Sequence, residues 1–352
     1  MNRFIQLHVL TSYPPSNLNR DDLGRPKGAV VGGVARLRIS SQSLKRAWRT
    51  SSIFREALGG HLGVRTKELG IKVFADLKAK GVDEKSAREW ARGIAGCFGK
   101  LKSERDAEGN EDLQIEQLAH VSPEEQAAVD DLVERLATAR KAPSEAELQL
   151  LRASEGAVDI AMFGRMLAAA PKFNVEAAAQ VAHAFTVHKA SAEDDYFTAV
   201  DDLNRGENDL GAAHIGEAGF GAGVFYLYIC INRSLLDQNL GGDEALRNKA
   251  LAALVEAIAK VAPGGKQNSF ASRAYASYLL AEKGDQQPRS LSVAFVRPIS
   301  GADVVGEAIA ALNDRMQKMD KVYGACADDR RHLNAETGEG GLADMIAFVQ
   351  AE

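Results

Sequence analysis

The chain has 352 residues, 45% of them hydrophobic and 26% charged, with a formal net charge of -5. This is the make-up of an ordinary globular protein of one elaborated domain or two; it excludes a disordered chain, a collagen-like chain and a small disulfide-stapled scaffold. Its three cysteines, Cys97, Cys230 and Cys326, lie far apart without a CxxC pair, and no run of about eighteen apolar residues is present to span a membrane. A reducing, cytoplasmic setting is expected.

Residues 3–11 (RFIQLHVLT) are rich in β-formers and roughly alternate, so they read as a first strand rather than a signal peptide. Residues 12–28, with Pro14-Pro15 and Pro26, read as loop. Residues 29–39 look extended. Ser40 then offers a cap to a helix expected to run to about Leu58, where Gly59-Gly60 stops it. From 61 to 177 helices are expected over 67–80, 84–98, 123–141, 145–151 and 158–170, with a charged connector at 102–112. Residues 178–189 fit helix or strand, and Thr186-Val187 favours strand. Residues 190–222 are acidic, polar and glycine-rich with embedded aromatics. Residues 223–232 (GVFYLYICIN) are almost wholly apolar and aromatic, the pattern of a central strand. A helix at 245–261, an alternating strand at 291–297 (LSVAFVR) and helices near 304–321 and 342–350 complete the chain.

The main elements run strand, helix, strand, strand, helix, strand. That order is the ferredoxin-like βαββαβ plan, an α+β fold. Two insertions interrupt it, at 59–177 and at 190–222. The helical block exceeds what a small βαββαβ core can absorb, so it is expected to form a side lobe.

Charge is unevenly spread. Residues 1–58 hold ten lysines and arginines against three acids, Asp21, Asp22 and Glu56; the rest of the chain holds 33 against 45. A basic end on an acidic body points to a local anion-binding surface, or to one copy meeting the next. On the helix expected after Ser40, Gln42, Lys45, Arg46 and Arg49 share one face, and Leu44, Ala47, Trp48, Ser51 and Phe54 the other. Clustered like charges repel by a few tenths of a kcal/mol per pair, and no acid intersperses them before Glu56. The alternatives are a solvated basic face or a phosphate-binding one. Arg20, Arg25, Lys27, Arg36 and Arg38 on adjoining segments favour phosphate, with Ser40 and Gln42 as neutral donors.

Other motifs speak less clearly. Gly164-Arg165-Met166 offers a cation and a soft side chain. The loop at 263–268 (PGGKQN) lacks the spacing of a P-loop. Gly219-Phe220-Gly221-Ala222 with Phe225 echoes the RNP1 motif but lacks its leading basic residue. Tyr196 and Phe197 fit either a core or a projecting hairpin that wedges between bases. The seven histidines are scattered without HExxH or CxxC company, and GxSxG is absent. No metal or other cofactor is expected.

The residues Asn17-Leu18-Asn19-Arg20-Asp21-Asp22 and the run 38–47 (RISSQSLKRA) resemble the backbone subunit of type I-E CRISPR Cascade complexes. Further anchors of the same resemblance are Asp159-Ile160-Ala161 with Gly164-Arg165-Met166, the run 197–203 (FTAVDDL), Gly223-Val224-Phe225-Tyr226, and Lys266-Gln267. They fall in order from residue 2 to about residue 270. The resemblance implies a right-hand shape with a palm like an RNA-recognition module (1–58, 178–189 and 223–352), helical fingers (59–177) and a β-hairpin thumb (190–222). It implies a non-enzymatic scaffold whose copies stack head-to-tail along the spacer of the guide RNA (crRNA). Arg20, Lys27, Ser40, Gln42, Lys45, Arg46 and Arg49 would hold guide phosphates, with Lys266 and Gln267 also on the RNA. Arg165 and Met166 would touch guide bases and backbone. Tyr196, Phe197, Val200 and Leu203 would work the thumb, which kinks the guide. Arg140 and Lys141 are the cations available where the family can contact target DNA. The partners implied are crRNA, the paired target DNA strand, other copies of the chain, and a 5'-handle-binding subunit, a crRNA endonuclease, and large and small subunits. A recruited helicase-nuclease or another associated nuclease is also implied, and no membrane. A second reading stays open: metal-assisted cutting of bound target RNA by Asp21 or Asp22, as in related type III backbone subunits.

Overall fold

A computed structural model describes residues 2–103, 108–152, 156–199 and 214–351. In chain order the elements begin β1 (Phe4–Ser16), β2 (Gly28–Val31), β3 (Val34–Ile39), α1 (Ser41–Arg49), α2 (Ser52–Ala57), β4 (Val64–Thr66), α3 (Leu69–Ala79) and α4 (Glu84–Gly96). Next come β5 (Ala119–Val121), α5 (Pro123–Ala139), α6 (Val158–Phe163), β6 (Ala179–Val181), β7 (Ala184–Thr186), β8 (Glu193–Ala199) and β9 (His214–Asn232). The last are α7 (Arg233–Asn239), α8 (Glu244–Lys260), α9 (Gln267–Phe270), β10 (Ala276–Gly284), α10 (Val304–Tyr323), β11 (Asp329–Asn334) and α11 (Leu342–Gln350). Two compact units result, one of Met1–Phe54, Gln180–Asn232 and Leu251–Glu352, the other of Arg55–Ala179 and Arg233–Ala250.

The first unit is built on a sheet in the order β11-β10-β1-β9-β7-β3-β2. β1 lies between β10 and β9, antiparallel to both, with Leu7 opposite Ala281 on one side and Ile229 on the other. Ile5, Leu7, Val9 and Leu10 are at most 1% exposed, and the polar residues that alternate with them, Gln6 and His8, are buried as well. Read as β1, α1, β7, β9, α8, β10, the chain has the βαββαβ order, and the spatial order β10-β1-β9-β7 is the ferredoxin-like arrangement. Leu10, Tyr226, Leu280, Leu291, Phe295 and, from α10, Ala308 and Leu312 form one core of this unit. The second unit packs α3, α4 and α5 around Val73, Leu77, Trp90, Ile94, Val129 and Leu132.

Several elements differ from the sequence expectation, among them β1, which runs on to Ser16 through residues expected as loop, and β9, which begins at His214 and not at 223. The fourth core strand is β10, not residues 291–297, where a 3-10 turn (Ser292–Phe295) stands instead. The alternation there is local: Leu291 N–H donates to the Tyr226 hydroxyl at 3.1 Å, and the Phe295 carbonyl accepts from the Arg36 guanidinium at 3.0 Å. β10 was hidden because it buries Glu282 and Lys283 among its apolar residues. The long helix after Ser40 is two helices. Thr50 Oγ1 donates back to Arg46 O at 2.8 Å, and Ser51 Oγ accepts from Phe54 N at 3.2 Å, so hydroxyls end one helix and cap the next. Residues 145–151 form a turn, with Glu147 Oε2 bound to both Ser144 N and Ser144 Oγ. α6 stops at Gly164 (φ 79°), where Arg165 turns into an antiparallel bridge with Val175. The observed units divide at 54/55 and 179/180, against the expected 58/59 and 177/178, and residues 233–250 belong with the helices.

Candidate nucleic-acid interface

The loop at 17–27 is held from below. Asn17 is fully buried and its Nδ2 donates to Gly24 O at 2.9 Å and Gly219 O at 2.8 Å. The floor of this loop must be glycine: a Cβ on Gly219 would lie 3.0 Å from Pro26 Cδ, and one on Gly221 2.5 Å from Leu37 Cδ1. The glycines of the RNP1-like echo at 219–222 are thus explained by the close packing of the Pro26 and Leu37 side chains on them. Asp21 Oδ1 accepts from Leu23 N at 3.0 Å and Arg25 N at 2.9 Å, which folds the loop tip on itself. Asn19 joins the loop to the next segment. Its Oδ1 accepts from Ser40 N at 2.8 Å, its carbonyl accepts from Lys27 N at 2.9 Å, and the Lys27 carbonyl accepts from Arg38 N at 2.8 Å. One asparagine therefore sets Arg20, Lys27, Arg38 and the start of α1 in fixed register.

Ser40 caps α1 as expected, its Oγ accepting from Ser43 N at 3.3 Å. Leu44 and Trp48 are buried, Gln42 and Arg46 are exposed, and Lys45 and Arg49 are half-buried. No acid stands in the first turn of α1, so its positive dipole end is uncompensated by side chains of its own. Against this helix the fold sets a residue that the sequence reading passed over. His183 is exposed, and its Nδ1 accepts from Arg38 Nη1 at 2.7 Å. Desolvation lowers the His183 pKa, and Arg38, Lys27 and Lys45 lower it further. Cations from a loop, a strand and a helix thus act on one imidazole. Nothing in the sequence marks His183, because its nearness to Arg38 follows from the pairing of Arg38 with Phe185 across β3 and β7.

Two arginines of the basic segment do not add to this face. Arg36 is 1% exposed and donates to Thr186 O at 2.9 Å and Phe295 O at 3.0 Å, a structural clamp whose burial lowers its pKa. Arg25 Nη2 binds both carboxylate oxygens of Asp194, at 2.7 and 2.8 Å, and so joins the loop to β8.

The loop before α9 comes to the same place from far along the chain. A Cβ on Gly265 would lie 2.4 Å from Asn17 O and 2.5 Å from Leu18 O, so the two loops touch backbone to backbone. Lys266, with φ 47°, is half-buried. Gln267 Nε2 donates to Pro263 O and to Ser272 Oγ, both at 3.2 Å, so its amide shapes its own loop.

β8 pairs with the first part of β9 in a two-stranded ribbon, and every residue of β8 is exposed. Tyr196 is 61% exposed. Phe197 faces Gly216, where a Cβ would lie 2.5 Å from its Cζ, so the ring spreads over the glycine. Val200 and Leu203, also expected on this hairpin, lie outside the described residues.

The helical unit treats its expected site residues differently. Arg165 faces inward: its side chain is 1% exposed and Nη1 meets the fully buried Glu125 Oε2 at 2.7 Å. It also donates to Arg152 O at 3.1 Å and Phe173 O at 3.1 Å. The expectation of a guide-facing guanidinium is corrected by this burial. Met166, the next residue, is 79% exposed. Arg140 caps α5 in the left-handed region and donates Nη2 to Lys80 O at 3.1 Å; Lys141 beside it is exposed.

Among the described residues no three His, Cys, Asp or Glu side chains form a group fit to hold a metal ion, and no helix is long and apolar enough to cross a membrane.

Comparison with known proteins bears on this geometry. A family model described as CT1975-like protein matches residues 5–347. Among solved structures, a chain of a "CRISPR RNA-guided surveillance complex, pre-nicking" is similar with a TM-score of 0.83 and 30% identity. The match covers 99% of this chain and 99% of that one. A chain of a "CRISPR RNA-guided surveillance complex" is similar with a TM-score of 0.61 and 26% identity, covering 98% of this chain and 99% of that one. Comparison with curated protein sequences finds no match.

Proposed function

The chain belongs to the CT1975-like protein family, and from that membership we propose that it is the guide-RNA-binding backbone subunit of a type I-E CRISPR Cascade surveillance complex. The observation that carries the reading is the convergence of Lys27, Arg38 and Lys45 on His183, beside a capped helix whose basic face also presents Arg46 and Arg49. Cations from separate elements suit a chain of phosphates: arginine forks and lysine point charges bind the backbone and leave the bases to pair. A protein that must accept any spacer needs contacts that ignore sequence. Copies would stack head-to-tail through a heterologous contact, so the length of the guide would set their number. The β8–β9 ribbon, with Tyr196 and Phe197 exposed, supplies aromatic surface able to wedge between stacked bases and kink the guide.

In this reading the chain is a scaffold and cuts nothing, and a separate nuclease acts on the target. Support comes from Asp21, whose Oδ1 is engaged by two backbone N–H groups of its own loop. The other subunits of the complex and the target DNA strand paired to the guide are its remaining partners.

The test is size-exclusion chromatography of the chain expressed with a guide RNA, reading the absorbance ratio at 260 and 280 nm across each peak. A large RNA-rich peak that high salt dissociates is expected. A monomer free of nucleic acid, both alone and with companion subunits, overturns the proposal. Regular Mg²⁺-dependent cuts in a bound complementary RNA, lost in Asp21→Ala with Asp22→Ala, would replace the scaffold by a nuclease.

A further inference from the structure

The imidazole at the centre of the basic face has an unusual neighbour. A guanidinium donates and cannot accept, so the ring nitrogen that meets Arg38 Nη1 at 2.7 Å carries no proton. The other ring nitrogen, Nε2, is then the N–H, on a side chain that is exposed. A neutral imidazole in this tautomer is a hydrogen-bond donor standing among cations. The charged groups acting on it are Arg38 from β3, Lys27 from the loop before β2 and Lys45 from α1, and all three are positive.

We propose that His183 is a further phosphate ligand of this face, donating Nε2–H to a guide phosphate when neutral and taking up a proton as the RNA binds. The inference rests on the guide-RNA reading above. The physical argument is electrostatic. In the free chain three cations and partial desolvation oppose protonation of the ring, holding its pKa below the ordinary 6.5. A phosphate brought against the face offsets part of the positive charge and offers an acceptor, and both favour the charged ring. Protonation of Nδ1 breaks its bond from Arg38 Nη1, so the two groups part, and a phosphate oxygen seated between them accepts from both. Protons are conserved: one from solvent enters Nδ1 on binding and returns on release.

The sign follows from linkage. The RNA-bound form has the higher pKa, so between the two values binding takes up a proton and tightens as pH falls. Above both values affinity is flat, with His183 neutral and still donating.

The experiment is fluorescence anisotropy with a fluorescein-labelled guide RNA, on the full-length chain, at fixed ionic strength between about pH 8 and about pH 5.5. For the wild type the Kd should fall as pH drops through this range, by up to about tenfold per pH unit for one linked proton. His183→Gln keeps a neutral donor but does not titrate, so it should keep more of the high-pH affinity than His183→Ala and lose that part of the slope. His183→Ala should weaken binding at high pH as well. As a second measurement, histidine-ring NMR titration should show the His183 pKa higher with RNA than without. A His183→Gln slope equal to the wild type, or an unshifted ring, overturns the proposal while leaving the guide-RNA reading intact. That reading is checked separately by Lys45→Glu with Arg49→Glu: unchanged RNA binding by this variant, or none by the wild type, overturns the reading and the proposal with it.

Discussion

In the helical unit cations stand against carboxylates. Arg88 and Arg92 share Asp112, Arg135 meets Asp131 and Glu147, Lys80 meets Glu134, and Arg165 meets Glu125. On the basic face of the sheet unit the pattern differs: Lys27, Arg38 and Lys45 converge on a histidine, and α1 opens without an acid. Exposed ion pairs such as those of Arg135 contribute little to stability, and they leave little field outside the molecule. Crowded cations cost stability and project a field that attracts anions. The contrast belongs to the face and not to the whole unit, since in the same sheet Glu282 meets His8, Arg289 and Arg330. What separates a structural cation from a ligand-binding one here is the company it keeps, and that company is set by tertiary structure.

The sharpest way to break this comparison is to reverse the sign of the face. Lys45→Glu with Arg49→Glu removes two charge-assisted contacts worth about 1.5–3 kcal/mol each, so guide-RNA affinity should fall by roughly a hundredfold or more. Thermal unfolding should change little, because the helix keeps its buried Leu44 and Trp48. Guide binding unchanged in an anisotropy titration would mean that the crowded cations serve another end. The converse substitution is Arg165→Met. It leaves the Glu125 carboxylate buried without its partner, which costs about 3–5 kcal/mol. Calorimetry should show the helical unit melting earlier, and adding Glu125→Gln should recover part of the loss. If Arg165→Met instead melted normally and lost guide RNA, Arg165 would belong with Lys45 and not with the interior pairs.

The same pair of residues shows how much was legible in the sequence. The face of α1 could be read because a helix has a fixed period and its apolar residues identify the other side. Strand β1 could be read because its β-forming residues alternate, and the second half of β9 because it is a long apolar run. Arg165 and Lys45 look alike in sequence, and only the 3D position of Glu125, forty residues away, distinguishes them. β10 was missed because Glu282 and Lys283 close its apolar run, and their burial rests on partners from distant segments, His8 and Arg330 for Glu282 and the Ala351 carbonyl for Lys283. Arg36 looked like a surface cation because its acceptors are backbone carbonyls at Thr186 and Phe295, which no side-chain pattern announces. His183 and Asn19 were missed as working parts for a related reason: each acts through a neighbour fixed by strand register or loop closure.

The paired interior of the sheet unit should be sensitive to acid as well, through groups other than His183. Burial holds the His8 pKa below its ordinary value even though Glu282 lies beside it. Burial alone would raise the Glu282 carboxyl, but hydrogen bonds from His8 and Arg289 outweigh it and hold the group below the usual carboxylate range. As pH falls below about 6.5 the unfolded chain gains a proton at His8 that the folded one resists, so stability drops by up to about 1.4 kcal/mol per pH unit. The Glu282 contribution is present above its unfolded pKa near 4.3 and is lost only as pH falls through its lower folded value. Denaturant unfolding of the sheet unit should therefore weaken in two steps on acidification. His8→Gln together with His183→Gln should flatten the upper one, because both rings resist protonation in the folded chain; an upper step that persists in the double variant would place the titrating group elsewhere.

The smallest effect belongs to Asn19, and it separates positioning from contact. Asn19→Ala removes the acceptor for Ser40 N, at a net cost of about 1 kcal/mol. The bond from Lys27 N to the Asn19 carbonyl survives, so the loop stays attached at its base while Arg20 and Lys27 lose their fixed register with α1. Guide-RNA affinity should fall about three- to tenfold, within what such a loss of registry amounts to. No charge is removed, so the dependence of log Kd on log salt should keep the wild-type slope, about 0.7 per phosphate neutralised on a single strand. Lys27→Ala on the same RNA should lower both affinity and slope. A reduced slope in Asn19→Ala would show that the asparagine holds a phosphate-binding cation in place so completely that its loss disengages the contact. An unchanged affinity would show that the loop finds its register without it, through the buried Asn17 and the glycine floor beneath.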